Sequence, residues 1–171
     1  MSNIIDLSPR IILLENDEKF AELTLTEFER NGYLIKWLID SDDILNIIEH
    51  FIPNIIILNW NSVSEGCLKL IAEIRQNQRL NDFKLIVISD VYSGNNAIRA
   101  LTVGADDYLS KPITEFDLLA RVWAHLRLWR IMYKTFENNY ADELFLDKRS
   151  TQRLFVIKSS ESNRSRNMAK I

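Results

Sequence analysis

Three short, unbroken apolar runs constrain this chain more than any other feature. Ile11-Ile12-Leu13-Leu14, Asn54-Ile55-Ile56-Ile57-Leu58 and Lys84-Leu85-Ile86-Val87-Ile88 show no polar alternation. Such runs predict strands covered on both faces, and hence a parallel sheet between helical layers. Amphipathic stretches separate them: Phe20, Leu23, Leu25 and Phe28 after the first run, and Leu68, Leu70, Ile71 and Ile74 after the second, fall near helical spacing. Two weaker strands are expected over residues 33–38 and 107–109. Asn31-Gly32 supplies a stop for the first helix, because glycine enters the left-handed region without a Cβ clash. Ser41-Asp42-Asp43 offers side-chain oxygens to cap a second helix. Strand and helix units this short pack as a doubly wound α/β fold with right-handed crossovers.

The 171 residues, 47% hydrophobic and 26% charged, suffice for one ordinary core. Twenty-one basic against 24 acidic side chains leave a net charge of −3, which gives no chain-wide positive field for nucleic acid. A single Cys, Cys67, excludes an intramolecular disulfide and a thiolate zinc cage, and His50 and His125 leave little for a nitrogen-ligated metal. No apolar run approaches the ~18 residues of a membrane span, and the first ten residues lack the pattern of a secretory signal. A cytoplasmic location and no membrane partner are expected. The charge changes sign along the chain: residues 1–130 hold 13 basic and 19 acidic side chains, residues 131–171 hold 8 and 5. That shift marks a boundary near Ile131, dividing a domain over residues 10–130 from an extension over 131–171.

In a doubly wound sheet, functional groups gather beyond the carboxyl ends of the strands. That rule selects Glu15, Asn16 and Asp17 after the first strand, Asn59 after the third, Ser89 and Asp90 after the fourth, and Ser110, Lys111 and Pro112 after the fifth. Leu13-Leu14-Glu15-Asn16-Asp17, Ile57-Leu58-Asn59-Trp60, Val87-Ile88-Ser89 and Gly104-Ala105-Asp106-Asp107-Tyr108-Leu109-Ser110-Lys111-Pro112 resemble, in order, the signatures of the receiver domain of bacterial response regulators. The last is the most specific. Phe116-Asp117-Leu118-Leu119-Ala120-Arg121-Val122 is similar to the OmpR/PhoB-like subfamily. The resemblance implies a five-stranded parallel sheet in the order 2-1-3-4-5, CheY/flavodoxin-like. It also implies a part in phosphorelay signal transduction and transcription regulation, not an enzyme.

The site residues depart from what that resemblance implies. A receiver moves a phosphoryl group from a histidine to an Asp that ends the third strand, with Mg²⁺ held by that Asp and an acidic pair after the first. Here that position is Asn59, and a neutral amide is a very poor nucleophile. Glu15 of the acidic pair is present, but the direct metal-ligand position holds Asn16. Mg²⁺ demands hard, charged oxygen ligands, so its binding is expected to be lost or weak and no cofactor is assigned. Asp90, next to the switch hydroxyl Ser89, replaces a small residue and would repel a phosphate dianion. The loop after Asn59 is one residue shorter than usual and lacks its Pro. Lys111-Pro112 persists, where the resemblance implies a cis peptide aiming the ammonium into the pocket. Lys111 is then expected to pair with Glu15, Asp90 or the Asn59 carbonyl.

Each residue also has a plainer reading. Asn16 and Asn59 would serve as polar satisfaction at strand ends, and Tyr108, the switch aromatic by resemblance, as packing. Cys67 sits at a helix start, which can lower a thiol pKa, yet its apolar surroundings favour a small core residue. The histidines read as surface or interface side chains.

Phe116, Leu118, Leu119, Val122, Trp123, Leu126 and Trp129 make the apolar band of the fifth helix wider than one sheet contact needs. By resemblance, the fourth helix, fifth strand and fifth helix form a two-fold dimer face, with Asp107 and Arg121 matching one of its ion pairs and Asp117 on the same helix. Ala97, Thr102 and Trp123 stand where charges are usual, which predicts a greasier homodimer or a surface for another regulator or kinase. The fifth helix is expected to run to about Phe136. Residues 142–156 resemble the first hairpin of a winged-helix effector domain, followed by a disordered basic tail. With no recognition helix after Ile157, DNA binding is not expected. The reading is an atypical receiver that works without Asp phosphorylation. The alternatives are phosphoacceptance by another carboxylate, such as Asp90 or Glu15, or DNA binding through the basic tail.

Overall fold

The computed structural model describes residues 8–63, 66–77 and 83–140, of which 128–140 as helix backbone alone. Its elements alternate: β1 (Arg10–Leu14), α1 (Glu18–Arg30), β2 (Leu34–Leu38), α2 (Ile44–Phe51), β3 (Ile55–Asn59), a 3₁₀ turn (Trp60–Ser62), α3 (Cys67–Gln76), β4 (Lys84–Ser89), α4 (Gly94–Val103), β5 (Asp107–Ser110) and α5 (Glu115–Tyr140). All pairings are parallel, in the order β2-β1-β3-β4-β5. The five expected strands are therefore present, and the sheet order is the one the resemblance implied. The unit Pro9–His125 carries the sheet, and the described part of α5 from Leu126 onward belongs to a second unit. The expected hairpin and basic tail lie outside the described residues.

The three apolar runs explain the centre of the sheet. Every residue of Ile11–Leu14, β3 and Leu85–Ile88 is fully buried, as strands with helices on both faces must be. One face packs Ile12, Leu14, Ile56, Leu58, Leu85 and Val87 against Ile44 and Ile48 of α2 and Cys67, Leu70, Ile71 and Ile74 of α3. Alternation places Asn59, the last residue of the central strand, at the carboxyl edge between β1 and β4.

Local signals hold with three corrections. Asn31 caps α1 and Gly32 turns the chain at φ +80°. α1, however, buries Ala21, Thr24 and Phe28, while Leu23 is exposed. The inward stripe follows 21, 24 and 28, and Leu23 falls on the far side of that 3.6-residue repeat. Asp43 precedes α2 but makes no side-chain cap; its carboxylate accepts from the Asn46 side chain at 3.2 Å instead. α5 extends to Tyr140, beyond the expected end.

Candidate functional site

The carboxyl edge of β1, β3, β4 and β5 brings Glu15, Asn59, Asp90 and Lys111 into one cleft. Glu15 follows the last apolar residue of β1 and is fully buried. Its Oε1 accepts from Asn59 Nδ2 at 2.7 Å and from the Asp17 backbone N–H at 2.9 Å, and its Oε2 lies 3.0 Å from Lys111 Nζ. Asn59 is fully buried too, and its Oδ1 accepts from the Asn61 N–H at 3.0 Å, opening the 3₁₀ turn. Both ends of this carboxamide are thus engaged, as a buried polar group requires.

Lys111 follows β5 directly and is joined to Pro112 by a cis bond. Its backbone N–H donates to Ser89 O at 2.8 Å, and its ammonium reaches Asp90 Oδ1 at 3.0 Å as well as Glu15. The Phe20 ring centroid lies 4.5 Å from Nζ, so an aromatic face covers the side of the cation that no carboxylate meets. Asp90 Oδ2 accepts from Asn61 Nδ2 at 2.6 Å. Burial lowers the Lys111 pKa, but hydrogen bonds to Glu15 and Asp90 and their charges outweigh it and raise the value above the ordinary lysine range. For Asp90, burial pushes the carboxyl up, and hydrogen bonds from Lys111 and Asn61 with the Lys111 charge bring it below its usual value.

The other sequence-selected residues take different places. Asn16 is exposed at the cleft edge. Asp17 caps α1 by accepting from the Phe20 N–H at 3.1 Å. Ser89 is buried, and its hydroxyl donates to Val91 O at 3.0 Å and accepts from Val91 N at 3.4 Å, a turn within its own loop. The Tyr108 hydroxyl oxygen is buried with no hydrogen-bond partner among the described residues, and its ring meets Trp60 edge-on at 6.4 Å. Cys67 is a core residue, its thiol pushed up to about 12 by burial.

On the α4–β5–α5 side, Asp107 receives Arg121 at 3.6 Å and His125 at 3.2 Å. Asp117 closes a capping box: its Oδ2 accepts from the Thr114 N–H at 2.9 Å and hydroxyl at 2.8 Å, and its N–H donates to Thr114 Oγ1 at 3.2 Å. The backbone N–H bond holds its carboxyl below the usual range. Leu118, Leu119 and Val122 turn inward, whereas Trp123 is 45% exposed. Ile98 and Leu101 of α4 are exposed as well.

Sequence reasoning missed three participants. Asn61 follows Asn59 by two residues, the spacing of an Asx turn, and that signal was available. Phe20 was read only as part of an amphipathic stripe. His125, expected as a surface or interface side chain, is half-buried against Asp107, a pairing that the sequence does not signal.

Comparison with known proteins gives a consistent picture. A profile of the response regulator receiver domain family matches residues 11–123. The phosphate regulon transcriptional regulatory protein PhoB of Rhizobium meliloti is 27% identical over 119 residues, which are 70% of this chain and 52% of that protein. Its Escherichia coli counterpart is 25% identical over 121 residues, 71% of this chain and 53% of that protein. The chain spans about half the length of these curated relatives. Among solved structures, the receiver domain of Francisella response regulator 1452 is 28% identical, with a TM-score of 0.63 over 70% of this chain and 98% of that one.

Proposed function

The chain belongs to the response regulator receiver family and so to two-component signalling, and on that premise we propose that it is an atypical receiver working without aspartyl phosphorylation. In this reading its output passes through the α4–β5–α5 face, to a second copy or to another regulator or kinase, in transcriptional control.

The observation that carries the proposal is the Asn59 carboxamide at the end of the central strand, hydrogen-bonded on both sides. An amide nitrogen delocalised into its carbonyl does not attack phosphorus, and no carboxylate stands in its place. The remaining donors do not suit Mg²⁺. Glu15 Oε1 accepts two hydrogen bonds and Oε2 faces the Lys111 ammonium, Asn16 is neutral, and Asp17 caps a helix. A small, reluctantly dehydrated cation would have to break the Lys111 pair to enter.

Two further features support a fixed conformation. Ser89 satisfies its hydroxyl on Val91, and Tyr108 keeps its hydroxyl buried beside Trp60. Ile98 and Leu101 of α4 and Trp123 of α5 are exposed, while the charges Asp107, Arg121 and His125 pair within the chain. Such a face favours an apolar partner contact of low salt sensitivity.

Incubation with acetyl phosphate and Mg²⁺, followed by intact mass, tests the reading. An unchanged mass is expected. A gain of one phosphoryl mass would overturn it, and mapping the modified residue would identify Asp90 or Glu15 as the acceptor.

A further inference from the structure

Three loops converge on one carboxylate at the mouth of the cleft. Asp90 follows β4, Asn61 lies in the turn after β3, and Lys111 follows β5. Asp90 Oδ1 lies 3.0 Å from Lys111 Nζ and 3.5 Å from Asn59 Nδ2, and Oδ2 accepts from Asn61 Nδ2 at 2.6 Å. An ammonium flanked by two carboxamide N–H groups is a donor set that suits an oxyanion, because each group presents hydrogen and none presents a lone pair to it. We propose that Asp90 is a tethered anion filling an oxyanion site made by Lys111, Asn61 and Asn59, and that it sets specificity by keeping free phosphate-class ions out. The inference rests on the phosphorylation-independent reading above and adds what holds that site closed.

Charge and tethering argue the same way. The cleft holds two carboxylates, Glu15 and Asp90, against one cation, Lys111, so a free oxyanion entering beside Asp90 would face a net negative charge. To bind, it must first displace Asp90. A group held on a short loop acts at an effective concentration of millimolar order or above, so a dilute free anion competes poorly. Asp90 remains ionised at neutral pH, since the Lys111 and Asn61 contacts offset its burial.

Asp90 is also the member of the network that can leave. Glu15 and Asn59 are fully buried, whereas the Asp90 side chain is 39% exposed at the rim. Removing it opens the mouth without cutting into the core. Lys111 keeps Glu15 as a partner, so the ammonium stays in place to receive an ion.

The test titrates the full chain with inorganic phosphate at fixed ionic strength and neutral pH, following the side-chain amide signals of Asn59 and Asn61 by NMR. The native chain, Asp90→Ala and Asp90→Asn are compared. Asp90→Ala is expected to respond saturably, with an apparent affinity at least about tenfold tighter than native. Asp90→Asn, which keeps the shape and the acceptor for Asn61 but not the charge, is expected to fall between them. It carries the test if the alanine variant does not fold. Equal phosphate responses in native and variants, or no saturable response in a folded variant, would overturn the tethered-anion proposal. So would an identical response to chloride. None of these three outcomes touches the intact-mass result, which alone decides the reading of the preceding subsection.

Discussion

The Glu15–Lys111–Asp90 cluster and the Arg75–Asp106–Lys84 cluster use the same chemistry, one charge between two of opposite sign, and are closed in different ways. Asp106 accepts from Arg75 at 2.7 Å, Lys84 at 2.8 Å and the Leu85 backbone N–H at 2.8 Å, while Arg75 also donates to Gly104 O and Phe83 O. Most of its other partners are backbone atoms, fixed by the strands and turns that carry them. The cleft cluster, in contrast, joins side chains at the ends of four strands, and one of them stands at the solvent rim. Backbone closure makes a fixed joint between α3 and the α4–β5 turn. Side-chain closure makes a contact that a single substitution can open.

Breaking the comparison at its most buried charge gives the largest effect. Lys111→Met leaves fully buried Glu15 without its cation and is expected to cost about 3 kcal/mol in urea unfolding. Adding Glu15→Gln to that variant removes the orphaned charge and should recover part of the loss. No recovery would show that packing of the Lys111 stem, and not charge, sets the cost. Arg75→Ala is expected to cost less, about 2 kcal/mol, because Asp106 retains Lys84 and the Leu85 N–H. A loss as large as that of Lys111→Met would put the two clusters on the same footing.

The smallest effect separates the clusters by pH. Burial raises the Asp106 carboxyl, and hydrogen bonds from Lys84 and Leu85 with the nearby cations bring it below the ordinary value of 3.8, as Asp90 is brought down by Lys111 and Asn61. A depressed carboxylate stabilises the fold above its unfolded pKa and loses that contribution as pH falls through the folded value. Both contributions should therefore disappear only below 3.8. Lys111 has the opposite sign: its stabilisation is complete below 10.5 and fades as pH rises through its higher folded value. Stability measured across both windows, in native chain and Asp90→Ala, should lose the Asp90 share of the acid limb and keep that of Asp106.

The fold was legible because buried parallel strands write themselves as apolar runs. Ile55-Ile56-Ile57-Leu58 needs no partner to be recognised, since a strand covered on both faces tolerates no polar interruption. Lys111 was legible for a second reason, its position at a strand end in a sheet whose functional edge follows from topology, and its pairing with Glu15 and Asp90 was among the expected options. What stayed hidden depends on contacts between distant segments. His125 reaches Asp107 across 18 residues, and Asn61 reaches Asp90 across 29. Leu23 misled because hydrophobicity marks which residues are able to be buried, whereas the phase of α1 against the sheet decides which are.

Gly104 closes α4 at φ +131°, where a Cβ would stand 2.8 Å from Arg75 Cγ. Arg75 runs its aliphatic stem over this bare stretch of backbone before its guanidinium divides between two carbonyls and Asp106. The absence of a side chain at one residue is therefore what lets a helix three elements earlier hold the start of β5 in place. Any replacement there would meet two obstacles at once, an unfavourable backbone conformation and a side chain with nowhere to go. Tolerance to change is consequently narrow at a turn remote from the cleft, while the carboxylate at the cleft rim is among the more replaceable parts of the molecule.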